Sequence, residues 1–226
     1  MECLGVDTHL YLLDYRRYHD ETEPLLDGLL GGGDPRPGLV AYEAASKILL
    51  EASRSREYPW TPFYSTPISE EGLAALDGRF PETYQGDRAN LGPDEVIRDP
   101  RLIREYWLRD HVCGVVVEGL CVHWDLDFPP VHVVTWCLGW DLYEHSKKFE
   151  YALCGDIYQR SVPVPYDICQ GDRFVDKSLV GELAVEIARI ASPGSDLWGD
   201  ERYRNLYKLL QLGAEDDHFR ILASYS

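Results

Sequence analysis

The sequence predicts an α+β fold with a mainly antiparallel sheet and helices packed on at least one of its faces. Three observations lead to this prediction. Apolar and polar residues alternate from Leu4 to Leu12, as in a half-buried first strand. Two neighbouring segments rich in β-branched and aromatic residues, at about 113–142, predict a central β-hairpin. Other segments repeat apolar residues every three or four positions, which is typical of amphipathic helices.

The helices before the hairpin are predicted from apolar stripes and start signals. The first runs from Leu39 to about Ser53, and its stripe comprises Leu39, Tyr42, Ala45, Leu49 and Ala52. Ser69 is a suitable N-cap for a short helix that continues to about Leu76. Asp99 followed by Pro100 predicts another helix start, and this helix is expected to continue to about Asp110.

Two helices and one strand are predicted near the end of the chain. Leu179, Leu183 and Ile187 share one face of a helix that spans about 179–191. A second helix spans about 201–212, and Gly213 is expected to end it. The segment HFRILA that follows predicts a last strand.

A short sequence repeat defines the predicted hairpin. CVHWDL at 121–126 returns as CLGWDL at 137–142, and Asp127–Pro130 between them predicts a turn because proline cannot donate a ladder hydrogen bond. In the simplest hairpin register, the residue numbers of two directly opposed residues sum to about 258, so Cys121 lies opposite Cys137. Even positions then form an apolar core face that includes both tryptophans, and odd positions form a second face with cysteine, histidine and acidic residues.

Three interpretations of the odd face stay open. It is either the second side of an ordinary sheet, or a metal site, or a thiol site. Cys121, His123, Cys137 and Asp125 carry ligand types that zinc accepts, although the chain has no Cys-x-x-Cys motif. Alternatively, Cys121 and Cys137 form a reversible redox pair, or one of them is a nucleophile assisted by His123.

The length of 226 residues fits one large domain, and we expect residues 1–226 to form a single globular domain. The segment GGGDPRPG at 31–38 predicts a loop or linker. No composition change along the chain is sharp enough to predict a domain boundary.

The charge balance restricts the partners that we expect. The chain has 22 basic and 39 acidic residues and a net charge of −17. Such a surface repels a phosphate backbone and an anionic membrane, so neither nucleic acid nor membrane is an expected partner. It attracts a basic protein through long-range steering, although the same excess acid also serves solubility alone.

The expected location is the cytoplasm. No apolar run approaches the roughly 20 residues that span a bilayer, and the first residues have no basic region before an apolar core. In that compartment the six cysteines are expected to be reduced. The chain lacks the common hydrolase, P-loop and dinucleotide-binding motifs, and no motif in it identifies a family.

The sequence therefore favours an acidic binding protein that docks or neutralises a basic protein partner. Its 15 tyrosines and 6 tryptophans support this interpretation, since both residue types are common anchors in interfaces. The alternative is a small metal- or thiol-dependent enzyme with its site at Cys121, His123 and Cys137.

Overall fold

The structure is a computed structural model that describes residues 8–54, 68–85, 96–123, 132–149, 153, 156–166 and 172–225. The α+β class and the mainly antiparallel sheet are confirmed. The chain divides into two compact units. Unit 1 comprises 1–15, 130–164 and 170–226, and unit 2 comprises 16–129 and 165–169. The single-domain prediction stays a prediction.

Unit 1 contains a five-stranded sheet in the order β2-β1-β5-β4-β3, and all neighbouring strands are antiparallel. Its strands are β1 (Thr8–Asp14), β2 (His132–Val134), β3 (Ser161–Pro163), β4 (Asp172–Val175) and β5 (Phe219–Tyr225).

The first and last predicted strands pair with each other. β1 and β5 run in register from Thr8 opposite Tyr225 to Asp14 opposite Phe219. Both strands are confirmed, although the predicted start of β1 at 4–7 lies outside the described residues. β1 differs from the predicted half-buried strand because four successive residues, Leu10 to Leu13, are buried. Since side chains alternate between the two faces of a strand, this interior strand has buried residues on both of its faces.

Helices cover one face of the sheet in unit 1: α7 (Trp136–Tyr143), α8 (Ile157–Gln159), α9 (Lys177–Ile190) and α10 (Glu201–Glu215). The predicted helices at about 179–191 and 201–212 are thus confirmed. The Asp176 side chain caps α9 by accepting from the backbone N–H groups of Ser178 and Leu179. Gly213 does not end α10, because the helix continues to Glu215 and the glycine is buried beside Ile221.

The core of unit 1 lies between these helices and the sheet. α9 and α10 contribute the apolar faces that their sequence periodicity predicted. Burying each of these large side chains contributes about 1.5–3 kcal/mol. Residues of this core include Leu10, Leu12, Leu142, Leu179, Leu183, Ile187, Leu206, Leu210, Ile221 and Ala223.

Unit 2 is mainly helical in its described part. Its helices are α2 (Glu23–Leu30), α3 (Arg36–Arg54), α4 (Glu70–Leu76), α5 (Pro100–Leu108) and α6 (Gly114–Val117). Three π-helical turns, π1 (Tyr18–Thr22), π2 (Arg109–Cys113) and π3 (Glu118–Val122), connect or extend them. A short helix, α1 (Tyr15–Arg17), begins at the last residue of the first segment of unit 1 and continues into unit 2.

Two predicted helix starts in unit 2 are confirmed, those at Ser69 and Asp99. The Ser69 hydroxyl accepts from the N–H of Gly72 at the start of α4, and Asp99 accepts from the N–H of Arg101 at the start of α5. The predicted loop at 31–38 is shorter than expected, since α3 already begins at Arg36. The segments on both sides of this loop belong to unit 2, so it does not separate the two units.

The predicted hairpin at about 113–142 is wrong. Residues from Pro100 to Val122 form one continuous helical stretch through α5, π2, α6 and π3. β2 contains only His132–Val134 and pairs with β1, and the next residues form α7. The expected turn at Asp127–Pro130 lies outside the described residues. Residues 112–119 are all buried, so this apolar run is a helix surrounded by protein. Periodicity alone does not distinguish such a helix from a buried strand.

Candidate functional site

The structure removes the geometry that the predicted site required. Cys121 lies in π3 and Cys137 in α7, so they are not opposed residues of two strands. Asp125 lies outside the described residues, as does the side chain of Cys137. His123 directly follows π3. Within the described part of the chain, no group of three or more His, Cys, Asp and Glu side chains is placed to hold a metal ion.

The two described thiols are buried in unit 2. Cys121 has no exposed surface, and its Sγ lies 3.3 Å from Oγ1 of Thr22 in π1. Cys113 is also fully buried, and burial raises the pKa of its thiol to about 12. Reactive cysteines need partial exposure and a stabilised thiolate. These surroundings therefore favour a packing role for Cys113, and the complete burial of Cys121 favours the same role.

His123 is a buried histidine, 3% exposed. Its backbone N–H donates to the carbonyl of Glu118 at 3.1 Å, which ends the π3 turn. Burial lowers the pKa of the imidazole to about 4, so the side chain is neutral at pH 7. An imidazole that stays neutral down to this pH does not act as a proton donor near neutral pH.

We expect His123 to make the protein less stable in weak acid. Its pKa in the folded state is about 4, below the ordinary value of 6.5, so the unfolded chain takes up the proton first. The folding stability associated with the neutral His123 side chain is therefore fully present above pH 6.5. As the pH falls from 6.5 towards 4, the free energy of unfolding should decrease by roughly 1–3 kcal/mol. Urea unfolding at several pH values measures this loss.

His123→Gln tests this prediction. His145→Gln is the control, because it makes the same substitution at an exposed histidine. His123→Gln should make the decrease in unfolding free energy between pH 6.5 and pH 4 smaller than in the unsubstituted chain. His145→Gln should keep it. An identical pH dependence in both variants would contradict the assignment to His123.

A pocket of about 620 Å³ lies in unit 1, and it combines aromatic rings with charged groups. Tyr15 follows β1, Phe174 belongs to β4, and their rings meet edge to face at 5.6 Å. Arg220 of β5 places its guanidinium 5.0 Å from the centre of the Tyr15 ring. Its strand position is opposite Leu13, near the end of β1. This wall therefore consists of the residue that follows β1 and of one residue each from β4 and β5.

The pocket is also lined by two paired cations. Arg160 donates to Glu182 at 2.9 Å and to the hydroxyl of Ser178 at 2.9 Å. The hydrogen bond from Arg160 lowers the pKa of Glu182 below its usual value, so the carboxylate of Glu182 stays charged at neutral pH. Lys177 pairs with the carboxylate of Asp217. These two cations are thus already neutralised by protein carboxylates.

Arg220 differs from the other two basic residues of the pocket. Among the described residues, no carboxylate lies within 4 Å of its guanidinium. Asp176 also lines the pocket, and its oxygen accepts from the Ser178 hydroxyl and from backbone N–H groups of α9, which lowers its pKa. Within the described residues, the pocket therefore contains one cation without a carboxylate inside ion-pair distance, together with one fixed carboxylate. Asp217, which pairs with Lys177, is the described carboxylate whose pKa Arg220 also lowers through its charge.

Sequence reasoning missed this pocket. Its residues come from the end of β1, from β3 and β4, from the start of α9 and from β5, so they are far apart along the chain. β3 and β4 were also not predicted as strands. Two sequence signals mark parts of this pocket, the N-cap residue Asp176 and the predicted last strand, and neither of them indicates a ligand.

No family model, no curated protein and no solved structure matches this chain. In the described residues, every helix is too short or too polar to cross a bilayer. The function is therefore inferred from the charges, contacts and cavities of the chain itself.

Proposed function

We propose that this chain is a binding protein that docks a basic protein partner, and that unit 2 carries the docking surface. The single observation behind this proposal is an excess of exposed carboxylates without ion pairs. In the described part of unit 2, eight exposed acidic side chains lie farther than 4 Å from any basic group: Glu21, Asp27, Glu43, Glu51, Glu70, Glu71, Glu82 and Asp99.

The basic residues of unit 2 do not compensate for this excess. Four exposed cations in its described part also lack an ion pair: Lys47, Arg54, Arg98 and Arg101. By sequence, unit 2 contains 12 basic and 22 acidic residues, whereas unit 1 contains 10 and 17. Carboxylates of this kind repel one another and add little to folding stability, but they attract a basic protein over distances of about 10 Å.

The first step of the test is to capture the partner by crosslinking in the source cells, and we expect it to be a basic protein. The second step is a salt titration of the binding with the purified partner. Its Kd, measured with both proteins purified, should increase about ten-fold or more when the salt concentration is raised from low to above physiological values. A salt-insensitive Kd, or a partner without excess basic residues, would count against the proposal.

Two sets of substitutions with equal charge change locate the surface. The first set neutralises Glu43, Glu51, Glu70 and Glu71 in unit 2 to glutamine. The second set neutralises four exposed carboxylates of unit 1 without ion pairs: Glu144, Asp196, Glu201 and Glu215. The first set should weaken binding more than the second, mainly through a slower association rate. Equal weakening would overturn the assignment to unit 2.

A further inference from the structure

We propose that the pocket of unit 1 beside Tyr15, Phe174 and Arg220 binds a small organic carboxylate with a flat apolar body. This site is separate from the docking surface proposed above. Its volume of about 620 Å³ lies within the range of about 300–1,000 Å³ that is usual for small-molecule sites.

The charges of the pocket indicate an anionic ligand with a single charge. Arg160 and Lys177 already have carboxylate partners, whereas Arg220 has none among the described residues. A planar guanidinium binds a carboxylate through two parallel hydrogen bonds. The fixed carboxylate of Asp176 in the same pocket disfavours a dianion such as phosphate, because the described residues of the pocket offer no second cation without a carboxylate partner for the second negative charge.

The start of α9 does not supply the anion site. The N–H groups of its second and third residues, Ser178 and Leu179, already donate to Asp176. A carboxylate at this helix end would therefore have to displace the cap. Arg220 is the group that the geometry assigns to the ligand.

The apolar part of the ligand is inferred from the wall around Arg220. The Tyr15 and Phe174 rings meet edge to face, and the Val162 side chain is 62% exposed beside them. Aromatic walls of this type favour flat rings, which offer a face or an edge to the protein ring. The Arg220 guanidinium lies over the Tyr15 ring, 5.0 Å from its centre, so a carboxylate bound to Arg220 would place the ring of the ligand next to the aromatic wall.

Benzoate is a suitable probe, and its binding can be followed by NMR chemical shifts in the full chain. Benzamidine has the same ring with the opposite charge, and inorganic phosphate has charge without a ring. Benzoate should shift resonances of β4 and β5, benzamidine should not, and phosphate should not displace benzoate. Displacement of benzoate by phosphate, or equal binding of benzamidine, would overturn the proposal.

Variants test the role of Arg220 with a matched control. Arg220→Gln should raise the Kd of benzoate about ten-fold or more, because it removes a charge-assisted hydrogen-bond pair. Lys208→Gln makes the same charge change at an exposed position of α10 outside the pocket and should not change the Kd.

Arg220→Lys keeps the positive charge but loses the planar pair of donors. Its Kd for benzoate should therefore lie between the values for Arg220→Gln and Lys208→Gln. Equal Kd values for Arg220→Gln and Lys208→Gln would refute the assignment.

Discussion

Gly119→Ala should destabilise unit 2 by about 3 kcal/mol, which is at the upper end of the usual cost of overpacking. Gly119 lies in π3, and an added Cβ would be 2.6 Å from both Cα and Cβ of Ala45 and 2.7 Å from its carbonyl oxygen. These neighbours belong to the backbone and the first side-chain atom of α3, so they cannot rotate away. Chemical denaturation followed by circular dichroism measures the expected loss.

Gly28→Ala is the matched control for this prediction. Gly28 lies in α2 of the same unit, and no described atom outside its own stretch of helix lies within 4 Å of the position that its Cβ would occupy. Alanine favours a helix over glycine, so this variant should keep or raise the unfolding free energy by up to about 0.5–1 kcal/mol. If both substitutions cost the same, π3 and α3 do not approach each other as closely as described.

Ile187→Ala should lower the stability of unit 1 by about 2–5 kcal/mol. Ile187 lies on the inner face of α9, is 0% exposed and belongs to the core between the helices and the sheet. The substitution removes buried apolar surface and leaves a cavity that the neighbouring side chains fill only in part. Thermal or denaturant unfolding measures the loss.

Val185→Ala on the same helix provides the comparison. Val185 is 72% exposed, so its truncation should change the unfolding free energy by no more than about 0.5 kcal/mol. A large loss at Val185 and a small one at Ile187 would mean that α9 packs with its other face inward.

Local signals in the sequence were sufficient for most helix starts. A capping side chain such as Ser69 or Asp99 acts within three residues of the helix start, so its effect can be predicted without knowing the fold. The same holds for the apolar stripes of α9 and α10, whose spacing is a property of the helix alone. The end of α10 was mispredicted because Gly213 is used for close packing beside Ile221.

The candidate site was predicted less well, because it depended on a pairing between segments. Cys121 and Cys137 were placed opposite each other only by the assumed hairpin, and both lie in helices. Valine-rich sequence favours strands, but the β-propensity of a segment depends strongly on its surroundings. The buried run at 112–119 adopts a helix that packs against α3, and Gly119 permits this close approach.

The sequence by itself determined the acidic charge, the α+β class, most helix starts and the first and last strands, because these follow from composition and from contacts within a few residues. Tertiary structure alone decided that residues 112–122 are helical and that β1 pairs with β5 from the other end of the chain. It also decided that Tyr15, Phe174 and Arg220 share one pocket. These features depend on burial and on long-range pairing, whose free energy arises only when distant segments meet.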